Sequence, residues 1–130
     1  MTYFEQSLED HIGVRVSQGQ PLSEILADIS VQMLECIEQV HKRYHIHRDI
    51  KPENFRVHDG RVRITDFGTI LRYKEEKTDK FDLIPEGKGF IGTYVFASLN
   101  AHNFRTLSLR DDLESLGYAL VQLYCKNRAF

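Results

Sequence analysis

Two polar motifs on either side of a predicted β-hairpin constrain the fold of this chain most strongly. The first is the octapeptide His47–Asn54, and the second is the tripeptide Asp66-Phe67-Gly68. Between them, alternating apolar and charged residues at 55–57 and 61–64 flank Asp59-Gly60, a dipeptide typical of tight hairpin turns. The two ends of a hairpin lie side by side, so the residues that enter it and leave it must meet. The sequence therefore predicts one polar site that is built from both motifs and held by strands.

Apolar residues at helical spacing predict two long helices. From residue 22 to residue 44 they recur on one face, at Leu22, Ile25, Leu26, Ile29, Met33, Cys36, Ile37 and Val40. A second helix is expected from about Leu109 to Cys125, and it is apolar nearly all round. Such a helix needs burial on most of its sides.

The rest of the chain is expected to be short elements and loops. We predict a short helix at 7–12, loops at 13–20 and 45–54, an extended run at 70–73 and a polar loop at 74–92. The predicted fold class is therefore α+β and mainly α-helical, with short β-hairpins around the two motifs.

Composition narrows the class of protein. Hydrophobic residues make up 42% and charged residues 28% of the 130 residues, which is typical of a globular domain. The net charge of −2 indicates no general affinity for nucleic acid or for an anionic membrane, so neither is expected as a partner. We expect an intracellular protein, cytoplasmic or nuclear, because residues 1–5 lack a signal-peptide pattern. Cys36 and Cys125 lie in apolar helical patterns and are expected to be reduced core thiols rather than zinc ligands. The oligomeric state stays open.

The two motifs hold the residue types that phosphoryl transfer requires. Asp66 offers a carboxylate and Asn54 an amide oxygen, and Mg²⁺ prefers oxygen ligands of this kind. Asp49 can orient a substrate hydroxyl and accept its proton. Lys51 is a compact cation that could neutralise a transferring phosphoryl group.

The octapeptide resembles the H-R-D-x-x-x-x-N catalytic loop of protein kinases, and the tripeptide resembles their D-F-G motif. This resemblance implies that ATP and Mg²⁺ are the cofactors and that a protein hydroxyl is the substrate. It assigns catalytic roles to Asp49, Lys51, Asn54 and Thr93. It assigns ATP binding to Lys51, Asn54 and Asp66, and Mg²⁺ binding to Asn54 and Asp66.

Two further segments resemble the casein kinase 1 group. Residues 92–102 are similar to its substrate-facing loop, and residues 108–118 are similar to its long central helix. The resemblance implies a partial kinase C-terminal lobe over residues 7–126, within one partial kinase domain at 1–130. It also implies that Thr93 hydrogen-bonds Asp49 and Lys51, that Asp112 braces the catalytic loop, and that the 74–92 loop is the activation segment.

The chain departs from the kinase pattern in three respects. Residues 1–46 hold no glycine-rich loop and no Val-Ala-x-Lys, so the N-terminal lobe is expected to be absent from this sequence. The G-x-G-x-x-G match at 87–92 follows D-F-G and is interpreted as part of a loop. Arg56 replaces the apolar residue expected under adenine, and Val95 replaces an arginine that reads phosphorylated substrates.

These departures leave more than one hypothesis open. The first is a serine/threonine kinase of the casein kinase 1 type, present as a fragment that is inactive in isolation. The alternative is a non-catalytic, kinase-derived remnant that acts as a binding module. An unrelated metal-dependent hydrolase would require both motifs to be coincidental.

Overall fold

A computed structural model describes residues 5–74 and 90–127 of the chain. Helices hold 53% of these residues, so the predicted α+β, mainly helical class is confirmed. In chain order the elements are β1 (Glu5–Ser7), α1 (Leu8–Ser17), α2 (Leu22–Lys42), β2 (His45–Ile46), a 3₁₀ turn (Pro52–Asn54), β3 (Phe55–His58), β4 (Arg61–Ile64), β5 (Leu71–Arg72), α3 (Leu99–His102) and α4 (Leu109–Asn127).

The predicted hairpin is the centre of a small antiparallel sheet. Strands β3 and β4 pair directly, and β1 adds to the other edge of β3. The turn residues Asp59 and Gly60 have φ values of 50° and 76°, as a two-residue turn of this type requires. A second pair joins β2 to β5, which confirms the extended run expected at 70–73.

The core lies between this sheet and the two long helices. Along the hairpin Phe55 and Val57 are buried whereas Arg56 is directed to the other face, as the alternation predicts. Helix α2 packs on β4 and on α4. Its buried face, Ile25, Leu26, Ile29, Met33, Ile37 and Val40, is the stripe that the sequence predicts. Both functional motifs are therefore attached to the most buried part of the described chain.

Three expectations about local structure are wrong. The loop expected at 13–20 is helical as far as Ser17, because α1 is held at both ends. The Ser7 hydroxyl caps its first turn by accepting from the Asp10 amide, and Arg15 in its last turn binds Asp28 of α2. The segment 45–54 is not entirely loop, since β2 opens it and the 3₁₀ turn closes it. Cys125 is exposed rather than a core thiol, although both cysteines are free as expected.

Helix α4 is buried on one face only within the described part of the chain. Leu116, Ala119 and Leu123 pack inward, whereas Leu113 and Val121 are 46% and 60% exposed. The described residues therefore leave this helix partly uncovered, although its apolar sequence favours burial on most sides. Residues 75–89 of the loop expected at 74–92 lie outside the described residues, and only the last three residues of its G-x-G-x-x-G match are described.

None of the helices formed by the described residues combines the length and apolarity of a transmembrane span.

Candidate active site

A buried carboxylate at the start of α4 holds the backbone of the catalytic loop. Asp112 is 1% exposed, and its two oxygens accept the amide protons of His47 and Arg48 at 2.8 and 2.9 Å. The imidazole of His41, in the last turn of α2, lies 2.8 Å from the same carboxylate. A buried carboxylate is stable only when its oxygens are bonded in this way. The bracing role expected of Asp112 is present in the structure.

Arg48 is held in a left-handed backbone conformation, with φ of 71°. Non-glycine residues adopt this conformation at some cost and need surrounding contacts to keep it. Its Nε atom donates to the carbonyl oxygen of Thr69 at 2.6 Å, and the Thr69 hydroxyl donates to the carbonyl oxygen of His47. Burial lowers the pKa of the Arg48 guanidinium, and the negative charge of Asp112 opposes that shift. Arg48 therefore ties the catalytic loop to the segment that follows the D-F-G motif.

His47 is fully buried and fixes the position of Asp49. Its Nδ1 atom accepts the amide proton of Asp49 at 3.2 Å, and its Nε2 atom lies 3.0 Å from the carbonyl oxygen of Thr65. A neutral imidazole that carries its proton on Nε2 satisfies both bonds. The Phe67 ring meets His47 edge-on, with a centroid separation of 5.7 Å. His47 is thus a packing residue rather than a proton donor to a substrate.

Asp49, Lys51 and Thr93 form one hydrogen-bonded set. The Thr93 hydroxyl donates to Asp49 Oδ1 at 2.8 Å and accepts from Lys51 Nζ at 2.8 Å, which are the two bonds expected of it. Lys51 Nζ also lies 3.7 Å from Asp49 Oδ2. All three side chains are partly exposed, so a substrate can reach them. The set places a carboxylate, a hydroxyl and an ammonium group within contact of one another.

Gly92 allows Thr93 to reach this position. Its φ is 105°, and a Cβ atom at this residue would lie 2.8 Å from the carbonyl oxygen of Arg48. That distance is shorter than any normal contact. Only glycine fits where this segment crosses the backbone of Arg48.

Asn54 lies on the other side of Asp49. Its side chain is nearly buried, and its Nδ2 atom donates to the carbonyl oxygen of Asp49 at 2.7 Å, which leaves its amide oxygen for another partner. The amide and hydroxyl of Thr65 both donate to the carbonyl oxygen of Asn54, at 2.7 and 3.1 Å. The hairpin thereby closes as predicted, and it brings the D-F-G motif beside the catalytic loop.

Asp66 is next to this set but is not bonded to it. It is exposed, has a φ of 58°, and accepts from the Gly68 amide at 3.4 Å. Among residues 5–74 and 90–127, no hydrogen bond joins its carboxylate to the other four predicted site residues. The structure therefore connects Asp49, Lys51, Asn54 and Thr93 directly, and Asp66 only through the backbone of Thr65.

The donor set fits Mg²⁺ better than a transition metal. No cluster of three or more His, Cys, Asp or Glu side chains suited to a metal ion occurs in the described part of the chain. Mg²⁺ usually takes only one or two protein carboxylates or amide oxygens and completes its shell with water and phosphate oxygens. The amide oxygen of Asn54, which accepts no hydrogen bond from a described residue, and the exposed carboxylate of Asp66 are groups of that kind.

Two supporting residues were not predicted from the sequence. One is His41, which contacts Asp112. The other is Asp111, whose buried carboxylate accepts from Ser98 at 2.7 Å, Asn100 at 3.1 Å and the Ser108 amide at 2.6 Å. The adjacent pair Asp111-Asp112 in an apolar helix was the available signal. One carboxylate holds the catalytic loop, and its neighbour holds the loop that carries Thr93.

The sequence was also compared with models of known families. The protein kinase domain model matches residues 1–130, which is the full length of the chain. This match agrees with the geometry of the catalytic loop and of the D-F-G motif. The chain belongs to the protein kinase domain family.

Proposed function

We propose that this chain is the large-lobe part of a serine/threonine protein kinase of the casein kinase 1 type. The observation that carries the proposal is the hydrogen-bonded set of Asp49, Thr93 and Lys51. Phosphoryl transfer needs a group that orients the acceptor hydroxyl beside a cation that balances phosphate charge. The set supplies both, and the family match supports kinase-like chemistry.

Each residue has a distinct role in the proposed reaction. Asp49 orients the hydroxyl of the protein substrate and accepts its proton as the oxygen attacks phosphorus. Thr93 donates to Oδ1 of Asp49, and we assign Oδ2 as the base because its contacts with Asn54 Nδ2 at 3.5 Å and Lys51 Nζ at 3.7 Å are longer. Lys51 balances the charge of the transferring γ-phosphoryl group.

Asn54 and Asp66 are the residues that would hold Mg²⁺ with ATP. The metal, when bound, supplies charge neutralisation of the phosphate oxygens. Different contacts hold the two residues that would bind the metal. The nearly buried Asn54 is oriented by Asp49, whereas the exposed Asp66 depends on its backbone conformation. We expect the Asp66 carboxylate to adopt one defined position only when the nucleotide is bound.

The assignment to the casein kinase 1 type rests on the segment that follows Thr93. Residues 92–102 stand where most kinases carry Ala-Pro-Glu, and Ser98 and Asn100 of this segment donate hydrogen bonds to Asp111. Val95, in place of an arginine, is 72% exposed. Val95 offers no positive charge to a phosphorylated or acidic substrate at this position.

Arg56 favours the second candidate function, a non-catalytic binding module. It stands where kinases place an apolar residue under adenine, and its Nε atom lies 3.9 Å from the Glu5 carboxylate. A charged group at that position opposes binding of an uncharged base unless the guanidinium stacks on it.

Nucleotide binding and phosphoryl transfer separate these candidates. We expect calorimetry to find weak Mg·ATP binding, with a dissociation constant of roughly 1 mM, that is lost in Asp66→Ala. Radiolabel transfer from ATP to casein should not exceed the Asp49→Asn background, because residues 1–46 hold no glycine-rich loop to cover the phosphates. Transfer abolished by Asp49→Asn would contradict inactivity of the isolated chain. Nucleotide binding that is undetectable, or unchanged in Asp66→Ala, would favour the non-catalytic module.

A further inference from the structure

A groove of about 440 Å³ lies between α2 and the edge strand β4, close to the D-F-G motif. Its apolar surface comes from Val40, Ile64, Phe67 and Ile70. The Phe67 ring is 46% exposed even though it contacts His47 on its other side. Ligand pockets typically have volumes of ~300–1,000 Å³ and combine a mainly apolar lining with a few polar groups. The groove has the size and lining of such a pocket.

The rim of this groove is basic. Arg43, His45 and Arg63 contribute to the lining, and no Asp or Glu among the described residues does so. This bias is local, because the whole chain has 19 acidic residues against 17 Lys and Arg. Within the described ranges neither Arg43 nor Arg63 forms a salt bridge. The Nδ1 atom of His45 is bonded to the carbonyl oxygen of Arg43 at 2.6 Å, which leaves Nε2 for another partner.

Arg63 has a further reason to attract an anion. In the β3–β4 pairing it stands directly opposite Arg56. Like charges at directly opposed strand positions repel each other. Arg56 has the Glu5 carboxylate at 3.9 Å, whereas Arg63 forms no ion pair with a described residue and lines the groove. An anion in the groove would provide the compensating charge that Arg63 lacks.

The backbone groups of Val62, on the edge of β4, are not available to pair with another strand. The Val62 amide donates to Gln32 Oε1 at 2.9 Å, and the Cys36 thiol donates to the Val62 carbonyl oxygen at 3.4 Å. Strand addition requires free backbone groups along an edge. Side chains of α2 already bind those of Val62, so the groove suits a small ligand better than an extended peptide.

We propose that this groove binds a small amphipathic anion, an aromatic or aliphatic body that carries a carboxylate or phosphate. The body packs on Ile64, Phe67 and Ile70, and the anionic group meets Arg63 and Arg43. The site shares no residue with the set of Asp49, Lys51, Asn54 and Thr93. Phe67 follows Asp66 in the chain, so the Asp66→Ala variant is needed to separate this proposal from ATP binding.

The test is an NMR titration of the 130-residue protein with 2-naphthoate, 2-naphthyl phosphate and the uncharged 2-naphthamide. Both anions should bind at least about tenfold more tightly than the amide and shift the amide signals of Ile64, Phe67 and Ile70. Arg63→Gln should weaken anion binding by about fivefold or more. Arg61→Gln removes an exposed arginine of the same strand that does not line this groove, so it should leave the affinity unchanged. A preference between the two anions would identify the head group.

Three results would overturn the proposal. These are equal affinity for the amide and the anions, equal effects of Arg61→Gln and Arg63→Gln, and shifts centred on the exposed Leu99 and Phe104 instead of the groove. Asp66→Ala separates this inference from the proposed function. Loss of Mg·ATP binding with unchanged naphthoate binding is the expected pattern in that variant.

Discussion

Replacing Asp112 with Asn should destabilise the fold more than any other single Asp-to-Asn change among the described residues. The wild-type carboxylate accepts from two backbone amides and contacts the His41 imidazole. An asparagine keeps the shape but has one acceptor oxygen, so its NH₂ group must face a buried N–H. A buried donor left unpaired costs about 1–3 kcal/mol, and the loss of charge also weakens the remaining bonds. We expect a total loss of about 2–4 kcal/mol in the free energy of unfolding.

Urea unfolding followed by circular dichroism measures this loss directly. A change of that size should lower Tm by roughly 6–20 °C in a domain of this length. Asp59→Asn is the matched control, because Asp59 is exposed in the hairpin turn and asparagine is favoured there. The reasoning would be refuted if Asp112→Asn lowered the free energy of unfolding by less than about 0.5 kcal/mol, or by no more than the control.

Three other predictions concern glycine, histidine and cysteine positions. Gly92→Ala should cost about 1–3 kcal/mol in unfolding free energy, because its Cβ would strike a backbone carbonyl, whereas Gly13→Ala in open helix should be neutral or stabilising; similar losses in both would contradict this. Burial lowers the pKa of His11, so the unfolded state binds the proton more tightly and the free energy of unfolding should fall as the pH drops below about 6.5. His11→Leu should flatten this pH dependence, and a variant with the same pH profile as the wild type would contradict the role of His11. Burial raises the pKa of the Cys36 thiol, so Ellman's reagent should react first with the exposed Cys125. A fast phase of the reaction that remains in Cys125→Ser would contradict this order.

The hairpin and the two long helices could be predicted because local signals agree with tertiary packing there. Asp59-Gly60 specifies the turn, alternation specifies the inward face of β3, and helical spacing specifies the buried face of α2. The extension of α1 to Ser17 could not be predicted in the same way. It depends on Arg15 meeting Asp28 of another helix, and that contact leaves no local pattern.

The candidate site likewise combines features that local sequence patterns predict with features that they do not. Spacing within His47–Asn54 and closure of the hairpin were enough to bring Asn54 beside the D-F-G motif. The bonds of Thr93 followed only from resemblance to a family, since 42 residues separate it from Lys51. His41 and Asp111 were missed because each acts through a partner distant in sequence. Asp66 has a positive φ, and no pattern in the local sequence predicts that conformation or the exposed position of its side chain.

Paramagnetic broadening by Mn²⁺ with ATP tests the central claim most directly, namely that the two motifs form one nucleotide-phosphate site. We predict that low Mn²⁺ with ATP selectively broadens the amide signals of Asn54, Asp66 and Gly68, and that Asp66→Ala abolishes this effect while the fold is retained. Asp59→Asn, an acidic-to-amide change at the far end of the hairpin, should leave the broadening unchanged. Broadening that is absent from both motifs, or that persists in Asp66→Ala, would contradict the account.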